Sequence, residues 1–181
     1  MEFPALVNSV GPFPSAIGAA FASFTSRQDV SPQPLPTIQA GSLRAQTKIA
    51  IRANGEFSTT GTPTLVWGLY IGTAAASITT VIAESSVITT GSGAAQWPWV
   101  MKWDGICTAN GVSGSVTGSG YLIYGTSLTA VNTVPIPITL ALRTFTWDTT
   151  IARSVGVCAT YSASSASNTF KTYDLTVNLR N

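Results

Sequence analysis

Histidine is absent from all 181 residues, and charge is scarce: Asp, Glu, Lys and Arg together make up 9% of the chain. The first absence removes the commonest general base and metal ligand, and with them most nucleophilic triads. The second lies far below the roughly one quarter usual in globular chains. Cysteine is nearly missing as well. Cys107 and Cys158, fifty-one positions apart, imply no disulfide framework and give no close-spaced pair to nucleate a zinc site. They are read as two buried thiols, with one bond between them as the alternative. No apolar run approaches the about twenty residues a membrane helix needs. The longest candidate, Ala16 to Phe24, is broken by Gly18 and Ser23. No basic segment precedes an apolar stretch, so signal-directed export is not expected. Nine Lys and Arg residues, no two adjacent, leave a net charge of +2, too little for a nucleic-acid footprint.

What is present argues for a folded chain. Hydrophobic residues reach 45%, with five tryptophans, and mean hydropathy is positive; a disordered chain has the opposite balance. The length suits one domain that buries a sizeable core without a metal or disulfide. With so little charge, Ser, Thr, Gly and Asn must cover the surface. Such a surface repels neighbours weakly and suits a protein packed among others.

Residues 1–40 differ from the rest. Six of the ten prolines fall here: Pro4, Pro12, Pro14, Pro32, Pro34 and Pro36. The stretch Ser31-Pro-Gln-Pro-Leu-Pro36 favours extended backbone and cannot form a central strand, because proline has no N–H to give a ladder. A short helix over Ser15 to Ser26 is a weak alternative for part of this leader. The apolar Phe3, Leu6, Phe13, Ile17, Phe21 and Phe24 would be left wet in a free tail. The leader is therefore expected to be an arm that docks on another surface, with Phe13, Ile17, Phe21 and Phe24 as anchors and Pro32, Pro34 and Pro36 as a stiff connector.

From Ser42 onward apolar and polar residues alternate with the period of a half-buried strand. Ile49, Ile51 and Ala53 alternate with Lys48, Ala50 and Arg52. Leu65, Trp67, Leu69 and Ile71 share a face, as do Trp97, Trp99, Met101 and Trp103. Tyr121 to Tyr124, Ile138 to Leu142, Val155 to Tyr161 and Phe170 to Leu179 continue the series. The connectors are rich in Gly, Ser, Thr and Asn, residues that supply turn geometry. About eight short strands over residues 41–181 predict an all-β fold, an antiparallel β-sandwich of the jelly-roll kind, with a closed barrel as the other architecture.

Catalytic chemistry has few places to reside. A carboxylate pair suffices for glycoside hydrolysis, and Asp104 and Asp148 are the best candidates among seven acidic residues. The plainer reading makes Asp104-Gly105 a turn and lets Asp148 open a connector through its side chain. Gly118-Ser-Gly120 and Gly111-Val-Ser-Gly114 lack the lysine and helix of a phosphate loop. Trp97, Trp99 and Trp103 could stack sugar rings as in carbohydrate-binding modules. They serve equally as core or subunit interface, which is the preferred reading. Pro98 between them is taken to mark an edge strand. No enzyme activity, cofactor or metal is expected.

Several stretches resemble virion structural proteins of tailed bacteriophages. They are Asp29-Val-Ser-Pro-Gln-Pro-Leu-Pro36, Ser42-Leu43, Gly55-Glu-Phe-Ser-Thr-Thr-Gly-Thr-Pro-Thr-Leu65, Trp67-Gly-Leu-Tyr-Ile-Gly72, Trp97-Pro98, Gly111-Val-Ser-Gly-Ser115 and Ala166-Ser-Asn-Thr169. The resemblance implies a jelly-roll decoration or minor structural component of heads or tails. Its expected partners are copies of itself, in a homotrimer, and the major capsid protein or another virion component, with neither nucleic acid nor membrane. Its expected location is the virion, assembled in the host cytoplasm. A minor tail or fibre protein is the alternative within that setting, and a carbohydrate-binding module the alternative outside it.

Overall fold

The computed structural model describes residues 8–9, 18–73, 78–127 and 129–180. They form an all-β protein of two antiparallel sheets. The strands are β1 (Asn8–Ser9), β2 (Phe21–Ala22), β3 (Gln28–Asp29), β4 (Thr37–Ile38), β5 (Lys48–Ser58), β6 (Thr64–Thr73) and β7 (Ile78–Glu84). They continue with β8 (Ile88–Thr89), β9 (Trp97–Ala109), β10 (Ser115–Gly125), β11 (Val131–Ile136), β12 (Thr144–Thr146), β13 (Arg153–Tyr161) and β14 (Thr169–Arg180). The larger sheet runs β1-β14-β5-β9-β10-β11, with β2 also on β14 and β12 also on β10. The smaller runs β3-β13-β6-β7, with β4 also on β13 and β8 also on β6. β5 pairs with β14 in one sheet while their chain neighbours β6 and β13 pair in the other. The strip β5–β6 thus lies antiparallel to the strip β13–β14 across both layers.

The core between the sheets is aromatic. Trp67, Trp99, Trp103 and Trp147 are each almost fully buried. Phe170 stacks on Trp99 with ring centres 5.2 Å apart, and meets Trp67 edge-on at 5.8 Å. Glycines make room for these rings. A Cβ at Gly105 or at Gly118 would stand 2.2 Å from the Trp103 indole. Both cysteines are buried and free: Cys107 belongs to the main core and Cys158 to a small cluster with Tyr70 and Ile78.

Sequence periodicity placed β5, β6, β13 and β14 correctly, but three local expectations need correction. Ile138 to Leu142 is no strand; it bends into a 3₁₀ turn over Leu140–Arg143. The strand of this region is β11, which Pro135 tolerates because it lies at a sheet edge. Asp104-Gly105 is no turn but the middle of the 13-residue β9. Pro98 does not mark an edge strand, since β9 lies between β5 and β10. It is accommodated because the β9–β10 ladder stops at Tyr124↔Trp99, one residue short of the proline.

The described leader residues are not helical. Phe21 and Ala22 pair with Phe170 and Thr169 on the larger sheet. The chain then crosses to the smaller sheet, where Gln28 and Asp29 pair with Ala159 and Cys158, and Thr37 and Ile38 with Ser154 and Arg153. Phe24, Val30 and Ile38 are part of the main core. The leader therefore closes the side of the sandwich formed by β13 and β14. Pro32, Pro34 and Pro36 fall along the edge of the smaller sheet, where a missing N–H costs no ladder bond.

Candidate interaction surface

The two sheets differ in what covers their outer faces. Residues Gly68 to Gly72 of β6 and Ser154 to Ala159 of β13 are buried without interruption, which means both faces of the smaller sheet are covered. The covering on its outer side includes Leu35 of the leader, packed with Ile78 and Val81 against Tyr70 and Cys158. Ser31 fastens it: the Val157 N–H donates to Ser31 Oγ at 2.7 Å, and the Val30 N–H to the Val157 carbonyl at 2.9 Å. Arg27 lies 5.0 Å over the Tyr70 ring, and the Tyr70 hydroxyl donates to Glu84. Burial pushes the Cys158 thiol up to about 12, with Asp29 adding to the shift. Burial, then the Glu84 contact, raises Tyr70 above the ordinary phenol range. This cluster is held protonated and out of solvent.

The larger sheet is open. β5 alternates buried and less-buried positions along its whole length, so one side faces the core and the other faces water. Five of the nine basic residues project on that open side: Lys48, Arg52, Lys102, Lys171 and Arg180. Asp104, Glu56 and Asp174 share it. The register arranges the charges in rows. Lys48 lies directly opposite Arg180 of β14, and Arg52 directly opposite Lys102 of β9. Like charges directly opposite one another destabilise a sheet slightly, so both pairs call for compensation. Arg52 has it: its guanidinium donates to both Asp104 oxygens, at 2.8 and 3.0 Å, and to the Trp103 carbonyl at 3.0 Å. That contact is the one ion pair among the described residues. Lys102 and Lys171 instead lie over Tyr121 and Tyr173, at 5.8 and 5.4 Å from the ring centres. The Tyr173 hydroxyl donates to Glu56, which holds the phenol protonated and raises its pKa above the usual phenol range.

Between the rows the face carries a depression of about 400 Å³ whose walls are Lys48, Arg52, Asp104, Ile106, Thr117 and Arg180. Ala50 also lines it, a methyl group among long side chains. Further along the same face Val100 and Tyr121 are exposed, as is Tyr173 in the bulge of β14. Arginine and exposed tyrosine, here Arg52, Arg180, Tyr121 and Tyr173, are among the residue types enriched where proteins bind one another.

Of the candidate site residues singled out from sequence, Asp104 alone among those described lies on this face. Phe13 and Ile17 lie outside the described residues. Phe24 is in the core, Phe21 packs against it, Pro32 and Pro36 are buried, and Pro34 is exposed. Trp97, Trp99 and Trp103 do share a face, but it is the inner one: Trp99 and Trp103 are fully buried and Trp97 is half-buried against Phe57. No three-ring platform for a sugar or a neighbour is formed. Asp104 is committed to Arg52. Asp148 accepts bonds from the Thr150 N–H and hydroxyl, at 2.9 and 2.6 Å, contacts that hold its carboxyl below the usual range. Among the described residues no group of three or more His, Cys, Asp or Glu could hold a metal, and no helix is long and apolar enough to cross a membrane. The open face had a signal in the sequence, the alternating Lys48 and Arg52 of one strand. Its other half, Arg180, is brought alongside only by strand register. No protein-family model and no curated protein matches the chain.

Proposed function

We propose that this chain is a non-enzymatic structural component of a tailed-bacteriophage virion, a decoration or cement-type protein with a jelly-roll sandwich, bound to the head lattice and to copies of itself. One observation carries the binding part of this reading. A protein with very little charge gathers most of its basic residues, with exposed aromatics, on the sheet face that the described residues leave uncovered. The virion setting rests on the sequence resemblance. The pairing of strip β5–β6 with strip β13–β14 is what a ribbon rolled across two sheets produces, in keeping with the jelly-roll reading.

Docking is assigned to the open face, because Phe24, Val30, Pro32 and Pro36 of the leader are engaged in the chain's own fold; the leader residues Phe13 and Ile17 lie outside the described residues. Repetition over a symmetric lattice would turn modest contacts into durable attachment. Mixing the chain with purified heads and tails of the virus that encodes it, followed by electron microscopy, tests the assignment. Ordered density on head facets supports it. Density on tails alone makes the chain a tail or fibre component, and no density on either removes the virion reading. Sedimentation of the free chain tests the homotrimer.

A further inference from the structure

The depression on the open face carries a more specific assignment, which rests on that face being the docking surface. The geometry points to an anion subsite there that receives a carboxylate from an acidic segment of the protein partner. Its positive charge is uncompensated. Arg52 is neutralised by Asp104 and pinned by its bonds to main-chain carbonyls. Lys48 and Arg180 stand opposite each other on adjacent strands, and neither takes part in the one ion pair of the described residues. Two unpaired cations side by side repel, and a carboxylate between them relieves that repulsion with charge-assisted hydrogen bonds. Thr117, whose hydroxyl shares a hydrogen bond with that of Thr144 at 2.8 Å, stands at the rim, while Ala50 and Ile106 offer apolar surface to the methylene groups of a Glu or Asp side chain.

A polypeptide carboxylate suits the site better than a nucleic-acid backbone. The depression is a single bounded hollow, whereas binding a phosphate chain takes a series of cations along a track. Asp104 on its wall would repel successive phosphates. One carboxylate can sit on the Lys48–Arg180 side, away from Asp104.

The test is an amide NMR titration of the intact chain with three probes: a blocked hexaglutamate peptide, inorganic phosphate and an oligothymidylate. The expected result is a saturable shift of Lys48, Ala50, Ile106 and Arg180 with the peptide that weakens as salt rises. In the double variant Lys48→Gln, Arg180→Gln, peptide affinity should fall about tenfold, in line with loss of a charge-assisted pair. Both side chains are exposed, so an unchanged melting temperature is expected and separates loss of binding from loss of fold. No shift at millimolar peptide, equal affinity in the double variant, or preference for the oligonucleotide would overturn the assignment. Phosphate binding as tight as peptide would also overturn it, since the hollow would then select charge alone. Attachment to particles distinguishes this failure from that of the virion reading: if wild type and the double variant decorate heads equally, the subsite is wrong and the virion assignment stands.

Discussion

The ring of Phe24, in the leader, stands 5.2 Å from the ring of Tyr161, in the smaller sheet. Tyr161 in turn donates its hydroxyl to the Thr169 carbonyl at 2.8 Å, at the start of β14. The contact makes this stretch of the leader part of the sandwich. Phe24→Ala should therefore cost about 3 kcal/mol, the usual price of emptying a buried phenylalanine site, read from urea unfolding followed by tryptophan fluorescence. Removing residues 1–38 should abolish cooperative unfolding altogether, because Val30 and Ile38 leave the core with it. A truncated chain that unfolds as sharply as the full one would contradict this placement.

Trp103 sets a second expectation. Its indole occupies the space a side chain would need at Gly105 and Gly118. Gly118→Ala should destabilise by about 1–3 kcal/mol, the range for overpacking a filled core. In a Trp103→Leu background the same change should cost much less, so the two substitutions will not add. Additive costs in the double-mutant cycle would mean that the backbone, and not the ring, sets the need for glycine.

These cases show what was legible in the sequence. Alternation revealed β5, β6, β13 and β14 because each keeps one face on the core for its full length. It failed at Ile138 to Leu142, where the apolar Ile138 and Leu140 are exposed in a bend; the Ile138 N–H reaches the Glu84 carbonyl at 3.2 Å. It failed at Asp104-Gly105 because that glycine serves the Trp103 ring and not a turn. The open face was half visible, in Lys48 and Arg52. Its completion by Lys102 and Arg180 depends on register between strands far apart in the chain, which periodicity within one strand does not encode.

Stability should fall on the alkaline side. Burial raises Cys158, Tyr70 and Tyr161 in the folded chain. Each is neutral when protonated, so the folded state retains protons that the unfolded state releases. Their contribution is complete below the unfolded thiol value of about 8.5 and is lost as pH climbs toward the folded values. The urea midpoint should drop steadily between about pH 9 and pH 11, and Cys158→Ser should flatten the first part of that drop. At about pH 8 a thiol reagent should leave Cys158 unmodified until the chain unfolds. Rapid labelling of the native protein would contradict its burial.

The Arg52–Asp104 pair is exposed, at 37% and 64% of the side chains, and so contributes at most about 1 kcal/mol to folding. On the proposed assignment its weight lies in binding. Asp104→Asn should leave the melting temperature nearly unchanged while tightening hexaglutamate binding about threefold, because one repelling charge is gone and Arg52 is freed. Isothermal titration at low salt reads the difference. Weaker binding in this variant would mean that Asp104 helps to shape the site.

The claim on which the account depends is that the uncovered face of the larger sheet is where this protein meets its neighbours. Quantitative electron microscopy of heads mixed with wild type and with a Lys48→Glu, Arg180→Glu variant tests it most directly. The account predicts full decoration by wild type and loss of most of it by the folded variant. Equal occupancy by the two proteins would contradict it.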